Sequence, residues 1–420
     1  MKNKSTRNIS FIVAILLFNN LKGQSFGKQG FNLPIVDLDS EVGMQTIIDK
    51  EKGQYLGHPT TLLLEDDKTI IAVYPKGHGK GAIVMKKSFD GGKTWSGRLP
   101  TQKSWDTSKE VPTMYSVNDA NDKSRIIIFS GAQDHDVKYI RMSFSEDNGN
   151  TWSELKSIGN YHGIVAMSDV IPLKEKGHYM ATFHIRGPKE DDTMILYQVY
   201  SEDGGLTWGD PQKVYEDSKV HLCEAGLVYS PDGSEIAMLL RENTRNYNSQ
   251  IMFSKDEGKT WTAPKPMPGA LCGDRHQAVY LEDGRLLIQF RDKTPKNRPG
   301  NSFSPTEGDW VGWIGTYEDL KEGNEGAYRV RFKDNKKGWD TTYPAAELLP
   351  DGSLVCTTYG HWEKGESPYI LSFKFHIKTL DEKAKKIKKF GQTTIHNEMG
   401  KNMFIFDPDN SKMIQKKIED

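Results

Sequence analysis

From about residue 59 to residue 376 the chain breaks into short runs of apolar and β-branched residues, set off from one another by turns rich in Gly, Asp and Pro. Runs of that length and composition predict strands, and their grouping predicts repeated antiparallel units. The first unit takes in Pro59, Ile70 to Val73 and Ile83 to Lys86, and the second Met114 to Val117, Arg125 to Phe129 and Tyr139 to Phe144. The third uses Ile164 to Ile171, Tyr179 to His184 and Met194 to Tyr200, and the fourth Ala225 to Tyr229, Glu235 to Leu240 and Gln250 to Phe253. A fifth runs through Gln277 to Leu281, Leu286 to Phe290, Val311 to Thr316 and Tyr328 to Phe332, and a sixth through Tyr343 to Leu348, Leu354 to Thr358 and Tyr369 to Phe375. Within several units a tight turn such as Pro231-Asp232-Gly233 or Pro350-Asp351-Gly352 joins the first two runs.

The period is marked by one octapeptide. Ser-x-Asp-x-Gly-x-Thr-Trp occurs at Ser88 to Trp95, Ser145 to Trp152, Ser201 to Trp208 and Ser254 to Trp261, with starts 57, 56 and 53 residues apart. An Asp in such a turn accepts hydrogen bonds from nearby backbone N–H groups, and the Gly tolerates a left-handed conformation. Thr and Trp are expected to open the following strand. Four equivalent turns at this period imply stacked four-stranded blades. The expected fold class is all-β, a six-bladed β-propeller with four such turns. Met44 to Asp49 is expected to close the ring, and the apolar stretch Met403 to Phe406 leaves a seventh blade open.

At 420 residues with 39 glycines and 10% aromatics, the chain is long enough to bury a large core. Its formal net charge of -1 gives no global field for nucleic acid or an anionic membrane. Lys2, Lys4 and Arg7 ahead of the apolar run Ile9 to Phe18 predict a signal peptide over residues 1–24 and a periplasmic or secreted product. The propeller is then expected over residues 25–376, with residues 377–420 as an extension packing on it, and the protein as a monomer. Three cysteines, Cys223, Cys272 and Cys356, cannot all pair within one chain. They read most simply as buried structural residues, with no cofactor. The alternative is a zinc site drawn from His221, Cys223, Cys272 and His276, should neighbouring blades bring them together.

The octapeptide is the Asp-box signature, and the chain resembles the sialidase-like β-propeller superfamily over roughly residues 50 to 376. In such a blade the first strand starts and the second ends on one face, with the boxes on the other. First-strand starts supply His58, His162, Glu224, Arg275, His276 and Tyr343, and second-strand ends supply His78, Arg186, Arg241, Arg291 and His361. Arg141 begins a third strand near the same face. Concentrating these residues where blades converge predicts one shallow site for an acidic oligosaccharide.

Resemblance to sialidases implies that Arg241, in Leu-Leu-Arg-Glu-Asn, is a carboxylate-binding Arg, that Tyr343 is a nucleophile and that Glu224 activates it. Where sialidases begin their first blade with Tyr-Arg-Ile-Pro, this chain reads Leu56-Gly57-His58-Pro59, so one Arg of the family's triad is absent. The stretch Ala72 to His78 offers no clear acid Asp and supplies a second His instead. Such a His pair resembles that of propeller lyases acting on ulvan and on rhamnose-glucuronate glycans. That resemblance implies β-elimination at a uronate, with His58 and His78 as acid and base, Tyr343 or Tyr359 as a further proton carrier, and Arg141, then Arg241, neutralising the carboxylate. Arg186, Arg275, His276, Arg291, Glu224 and His361 complete the expected substrate-binding set, with Trp362 beside His361 as a wall for sugar rings. An exo-acting hydrolase of the sialidase or rhamnosidase type and a non-catalytic glycan-binding propeller stand as alternatives.

Overall fold

The computed structural model describes residues 31–134, 137–159, 161–163, 165–187, 193–293, 304–391, 395–397, 402–410 and 412–417, so the leader expected over residues 1–24 lies outside the described residues. Six small antiparallel sheets stand in a ring as a six-bladed propeller. Blade 1 is built from Thr60–Leu63, Ile70–Pro75 and Ile83–Ser88, with Leu99 bridging to Met85 at its outer edge. Blades 2, 3 and 4 are four-stranded and start from Thr113–Asn118, Val165–Pro172 and Leu222–Tyr229. Blade 5 runs from Gly273–Tyr280 to Tyr328–Lys333 and gains a fifth, parallel strand, Ile35–Asp37. Blade 6 consists of Ala345–Leu348, Ser353–Gly360 and Tyr369–His376, and the early strand Gln45–Asp49 pairs antiparallel with the last of these, so the chain start closes the ring.

Second strands such as Ile70–Pro75 and Leu286–Asp292 are buried along their whole length, because neighbouring blades cover both faces. Their continuous apolar runs follow from that burial. First strands line the axis, where Thr61, Tyr115, Ser168, Asp169, Arg275 and Glu347 border a cavity of about 240 Å³.

Each box forms the expected turn. In the second, Asp147 accepts from Thr151 N at 2.8 Å, Asn150 N at 3.1 Å and Thr151 Oγ1 at 2.7 Å, and Gly149 sits at φ 71°. Four donors on one carboxylate, Ser145 Oγ included, hold Asp147 at about 2, below the usual carboxylate range. The Thr-Trp pair does not open the next strand as expected, for the outer strand of blade 2 is only Lys156–Ser157. Instead Trp152 is buried against Trp105 and the core that blade 1 shares with blade 2, so the box tryptophan joins blades.

Beyond the ring the chain continues as a helix and a small separate sheet. Ile377–Phe390 is a helix whose Ile377, Leu380 and Ala384 bury one face on blades 5 and 6, while Asp381 accepts from Arg285 and Tyr328 at 2.8 Å. Residues around Met403 to Phe406 join a separate three-stranded sheet, Ile395–Asn397, Asn402–Asp407 and Lys412–Lys417, and no seventh blade enters the ring. Among the described residues no helix is long and apolar enough to cross a membrane.

Candidate active site

On the face away from the boxes, four first-strand entrances adopt the same unusual backbone. His58, Glu224, Arg275 and Thr342 all lie at positive φ, 54°, 49°, 57° and 62°, a region that non-glycine residues seldom occupy. In blades 4 and 5 the strand pairing also slips there, between Cys223 and Gly226 and between Asp274 and Gln277. A bulge re-aims its side chain, and here the bulges carry Glu224 and Arg275.

The floor of the site is a tyrosine-carboxylate pair surrounded by guanidinium groups. Tyr343 donates its hydroxyl hydrogen to Glu224 Oε1 at 2.6 Å, and Arg241 Nη1 binds Glu224 Oε2 at 3.0 Å. Burial pushes the Glu224 carboxyl up, but Arg241 and Arg275 more than offset it and hold it at about 2. Burial, reinforced by Glu224, drives the Tyr343 hydroxyl well above its ordinary range. Arg275 lies over the Tyr343 ring, 5.2 Å from its centroid, and its buried Nη1 has no hydrogen-bond partner among the described residues. Beneath, the fully buried Asp274 braces the floor by accepting from Arg245 and from Arg291 Nη2 at 2.6 Å, with Arg241 Nε 3.5 Å away. Arg291 also donates to the carbonyls of Trp339 and Thr341, so it acts as a brace more than as a free anion donor. Four guanidinium groups against the carboxylates of Glu224 and Asp274 leave this floor positive.

The wall from blades 1 and 6 is organised by Asp340. Its Oδ1 accepts from Tyr55 at 2.7 Å and Tyr359 at 3.3 Å and lies 3.2 Å from His78 Nδ1, and its Oδ2 lies 3.1 Å from His361 Nε2. Burial works to raise the Asp340 carboxyl, yet hydrogen bonds from His361, His78 and Tyr55 hold it far below the carboxylate range. The network assigns the tautomers. Tyr55 gives its hydrogen to Asp340 and accepts from His78 Nδ1 at 2.8 Å, which leaves His78 Nε2 with its lone pair exposed. His58 is different, because its Nδ1 accepts from Gly79 N at 3.2 Å and its Nε2 faces the Tyr359 hydroxyl at 3.2 Å. Burial, then the neighbouring His78, keep His58 neutral, well below its ordinary range. Both of its nitrogens are engaged, so of the expected acid/base pair only His78 presents a free one, although the two rings lie 4.8 Å apart.

Glycine at 57 has a physical reason. A Cβ there would lie 2.6 Å from a Tyr55 ring carbon and 2.9 Å from one of Tyr359, so the space any side chain would need is filled by two tyrosine rings.

Several expected binding residues are placed elsewhere. Arg141 donates to Thr107 Oγ1 at 3.0 Å, between blade 2 and the turn Lys103–Thr107, with no hydrogen bond to the floor among the described residues. His276 is buried on the axial side, its Nε2 2.8 Å from the Leu271 carbonyl and its ring stacked on Phe290, and burial lowers it to about 4. His361 is buried behind Asp340 and holds that carboxylate in place of a sugar. Trp362 is core, donating to the Tyr369 carbonyl at 3.1 Å, so it offers no stacking wall. Arg186 is exposed at the end of Tyr179–Arg186, on the rim. The expected zinc ligands are engaged separately: Cys272 donates to the Lys293 carbonyl at 3.3 Å, His221 lies 3.4 Å from the Ser218 carbonyl, and burial pushes the Cys223 thiol up to about 12. Among the described residues no three His, Cys, Asp or Glu side chains gather in a metal-holding arrangement.

Tyr55, Asp274, Arg245 and Asp340 were missed by sequence reasoning. Asp340 and Tyr55 each stand three residues ahead of a residue that was picked, Tyr343 and His58, in the links entering first strands, and that shared offset was the available signal.

Six blades, four Asp boxes and this floor define a sialidase-like β-propeller. No protein-family model matches the chain. It is 25% identical over 247 residues to a sialidase of Paraclostridium sordellii, covering 50% of this chain and 60% of that one, and 28% identical over 218 residues to a sialidase of Clostridium perfringens, covering 43% and 54%. The chain thus spans little more than half the length of these curated relatives. Among solved structures, a protein of unknown function from Dyadobacter fermentans superposes with a TM-score of 0.63 at 16% identity, over 79% of this chain and 97% of that one.

Proposed function

We propose that this protein is a glycan-cleaving enzyme that acts at an anionic sugar by hydrolysis, with Tyr343 as nucleophile and Glu224 as its base. The carrying observation is the 2.6 Å hydrogen bond from Tyr343 to Glu224 inside a ring of guanidinium groups. A neutral phenol is a better nucleophile than a carboxylate toward an anomeric carbon that bears or adjoins a negative charge, because no like charges approach. The proton stays on Tyr343 while the oxygen is a phenol, and passes to Glu224 as that oxygen bonds to carbon and becomes strongly acidic. Arg275, free of a hydrogen-bonded acid and stacked on Tyr343, is the group we assign to the sugar's carboxylate, with Arg241 beside it. The sialidase relatives support the chemistry. With a leader expected over residues 1–24, we place the activity outside the cytoplasm.

A second reading, β-elimination at a uronate, is favoured by one observation: His78 offers an unencumbered Nε2 and is oriented by Asp340 through Nδ1, which is how a general base is held. The test is to incubate the protein with sialylated and uronate-terminated oligosaccharides in ¹⁸O-water. Hydrolysis predicts ¹⁸O at the new anomeric hydroxyl and no ultraviolet absorbance from a 4,5-unsaturated sugar, whereas elimination predicts the absorbance without the label. No turnover of any anionic glycan would sink both.

A further inference from the structure

The floor supplies a nucleophile and its base, but cleavage of an unactivated glycoside also needs a proton for the departing oxygen. The link between blades 1 and 2 brings one more carboxyl group to this face. Glu110 stands three residues before Thr113, in the link that enters the first strand of blade 2, as Tyr55 and Asp340 stand in the links entering theirs, five residues ahead of Thr60 and Ala345. Its segment is fixed on three sides. Gly81 N donates to the Ser108 carbonyl at 2.9 Å, which ties the segment to the loop that carries His78. Lys109 N donates to the Gly131 carbonyl at 2.9 Å, and Ser108 Oγ donates to the Glu110 carbonyl at 2.8 Å while lying 2.8 Å from Ser130 Oγ. Gly131 is what allows the approach, for a Cβ there would lie 2.4 Å from Glu110 Cβ. Val111, next in the chain, lies against Gly79, whose N–H holds His58.

We infer that Glu110 is the catalytic acid/base of this site, delivering a proton to the departing sugar oxygen and recovering one from water; this rests on the reading of Tyr343 as the nucleophile. As Tyr343 Oη bonds to the anomeric carbon, the bond from that carbon to the leaving oxygen breaks, Glu224 takes the Tyr343 proton, and the Glu110 proton passes to the leaving oxygen. Water then attacks the same carbon, gives a proton to Glu110, and the tyrosyl oxygen leaves and regains its proton from Glu224. No electron donor or acceptor is required.

The electrostatics of the position fit that duty. The Glu110 side chain is 15% exposed, and burial is the main force raising its carboxyl to about 7. Glu224 across the site raises it further. Lys138, 3.0 Å away on the third strand of blade 2, and Lys80 on the blade 1 loop pull it back down without cancelling the rise. A carboxyl that keeps its proton near neutral pH is what general acid catalysis asks for, and pairing it with an ionised Glu224 separates the two roles.

The test compares Glu110→Gln with the unaltered protein on 4-methylumbelliferyl glycosides of N-acetylneuraminic acid and glucuronic acid, whose leaving group needs no proton, and on 3′-sialyllactose and a glucuronate-terminated disaccharide, whose leaving group does. The expected result is a loss of about 100-fold or more in kcat/KM on the oligosaccharides, a loss of less than about tenfold on the aryl glycosides, and disappearance of the alkaline limb near pH 7. Equal losses on both substrate types, or none, would overturn the assignment, as would transfer of this pattern to His78→Asn. Independently of turnover, the ¹³C carboxyl resonance of Glu110, identified by its absence in Glu110→Gln, should titrate near 7 and move down in Glu224→Gln. A midpoint in the ordinary glutamate range overturns the proposal even if the Tyr343 reading stands. Absence of turnover with a midpoint near 7 would refute the Tyr343 reading and the catalytic role that rests on it, leaving Glu110 a buried acid of this face.

Discussion

Replacing Asp340 by Asn isolates the part of the site that owes least to the sialidase pattern. The carboxylate faces four donors, at 2.7 Å from Tyr55, 3.1 Å from His361, 3.2 Å from His78 and 3.3 Å from Tyr359. An amide keeps one acceptor oxygen and turns an NH₂ toward the other donors, so about two of these bonds are lost and one donor is left facing another. Hydrogen bonds to an ionised partner contribute about 1.5–3 kcal/mol each, and the position is partly solvated, so we expect Asp340→Asn to lose about 2–4 kcal/mol at neutral pH. The pH dependence has a definite sign. The folded protein holds this carboxyl far below its unfolded value of 3.8, so its contribution is present above about pH 4 and is lost as pH falls below that. Urea unfolding from pH 7 downward should therefore show a gap between the two proteins that narrows as the solution becomes more acid than about pH 4. A gap under about 0.5 kcal/mol at pH 7, or one that stays constant into acid, would refute the view that Asp340 organises the wall.

Three further outcomes follow from the same contacts. Tyr343→Phe should lower kcat/KM on the cleaved glycan by about 10²-fold or more while leaving glycan binding within a few-fold, read by steady-state kinetics and calorimetry; full activity would exclude it as nucleophile. Gly57→Arg, which restores the sialidase residue, should cost about 1–3 kcal/mol in urea unfolding and raise no sialidase activity, because its Cβ would meet Tyr55 at 2.6 Å. Asp147→Ala, in a box on the far face, should cost about 1–2 kcal/mol, read as a lower Tm, with kcat/KM unchanged within about twofold.

Legibility in the sequence divided along physical lines. The ring was readable because its signal is repeated: apolar second strands, Pro-Asp-Gly turns and box octapeptides each recur, so an error in one blade is corrected by the next. The helix Ile377–Phe390 occurs once and is rich in Lys, and only the spacing of Ile377, Leu380 and Ala384 betrayed a buried stripe. At the site, His58, Glu224 and Arg275 lie in contact with Tyr343, since the face on which a strand begins is fixed by topology. Strand position does not tell whether a side chain turns inward or is already satisfied. His276, next to Arg275, is already engaged by the Leu271 carbonyl and the Phe290 ring, and Arg141 donates to Thr107. Nor does it flag links, which is why Tyr55, Glu110 and Asp340 went unremarked although all three precede first strands.

The floor and the wall differ in how their charges are held. The floor keeps the Tyr343, Glu224 and Arg241 arrangement, in which every charge is paired and buried, so that removing any one strands another and is costly. The wall is mixed: His58, Tyr359 and His361 are buried, Tyr55 and Asp340 are partly buried and His78 is exposed, and the Tyr55 and Tyr359 rings crowd the backbone of Gly57. On the floor Arg275 lies over the Tyr343 ring, and its buried Nη1 has no hydrogen-bond partner among the described residues.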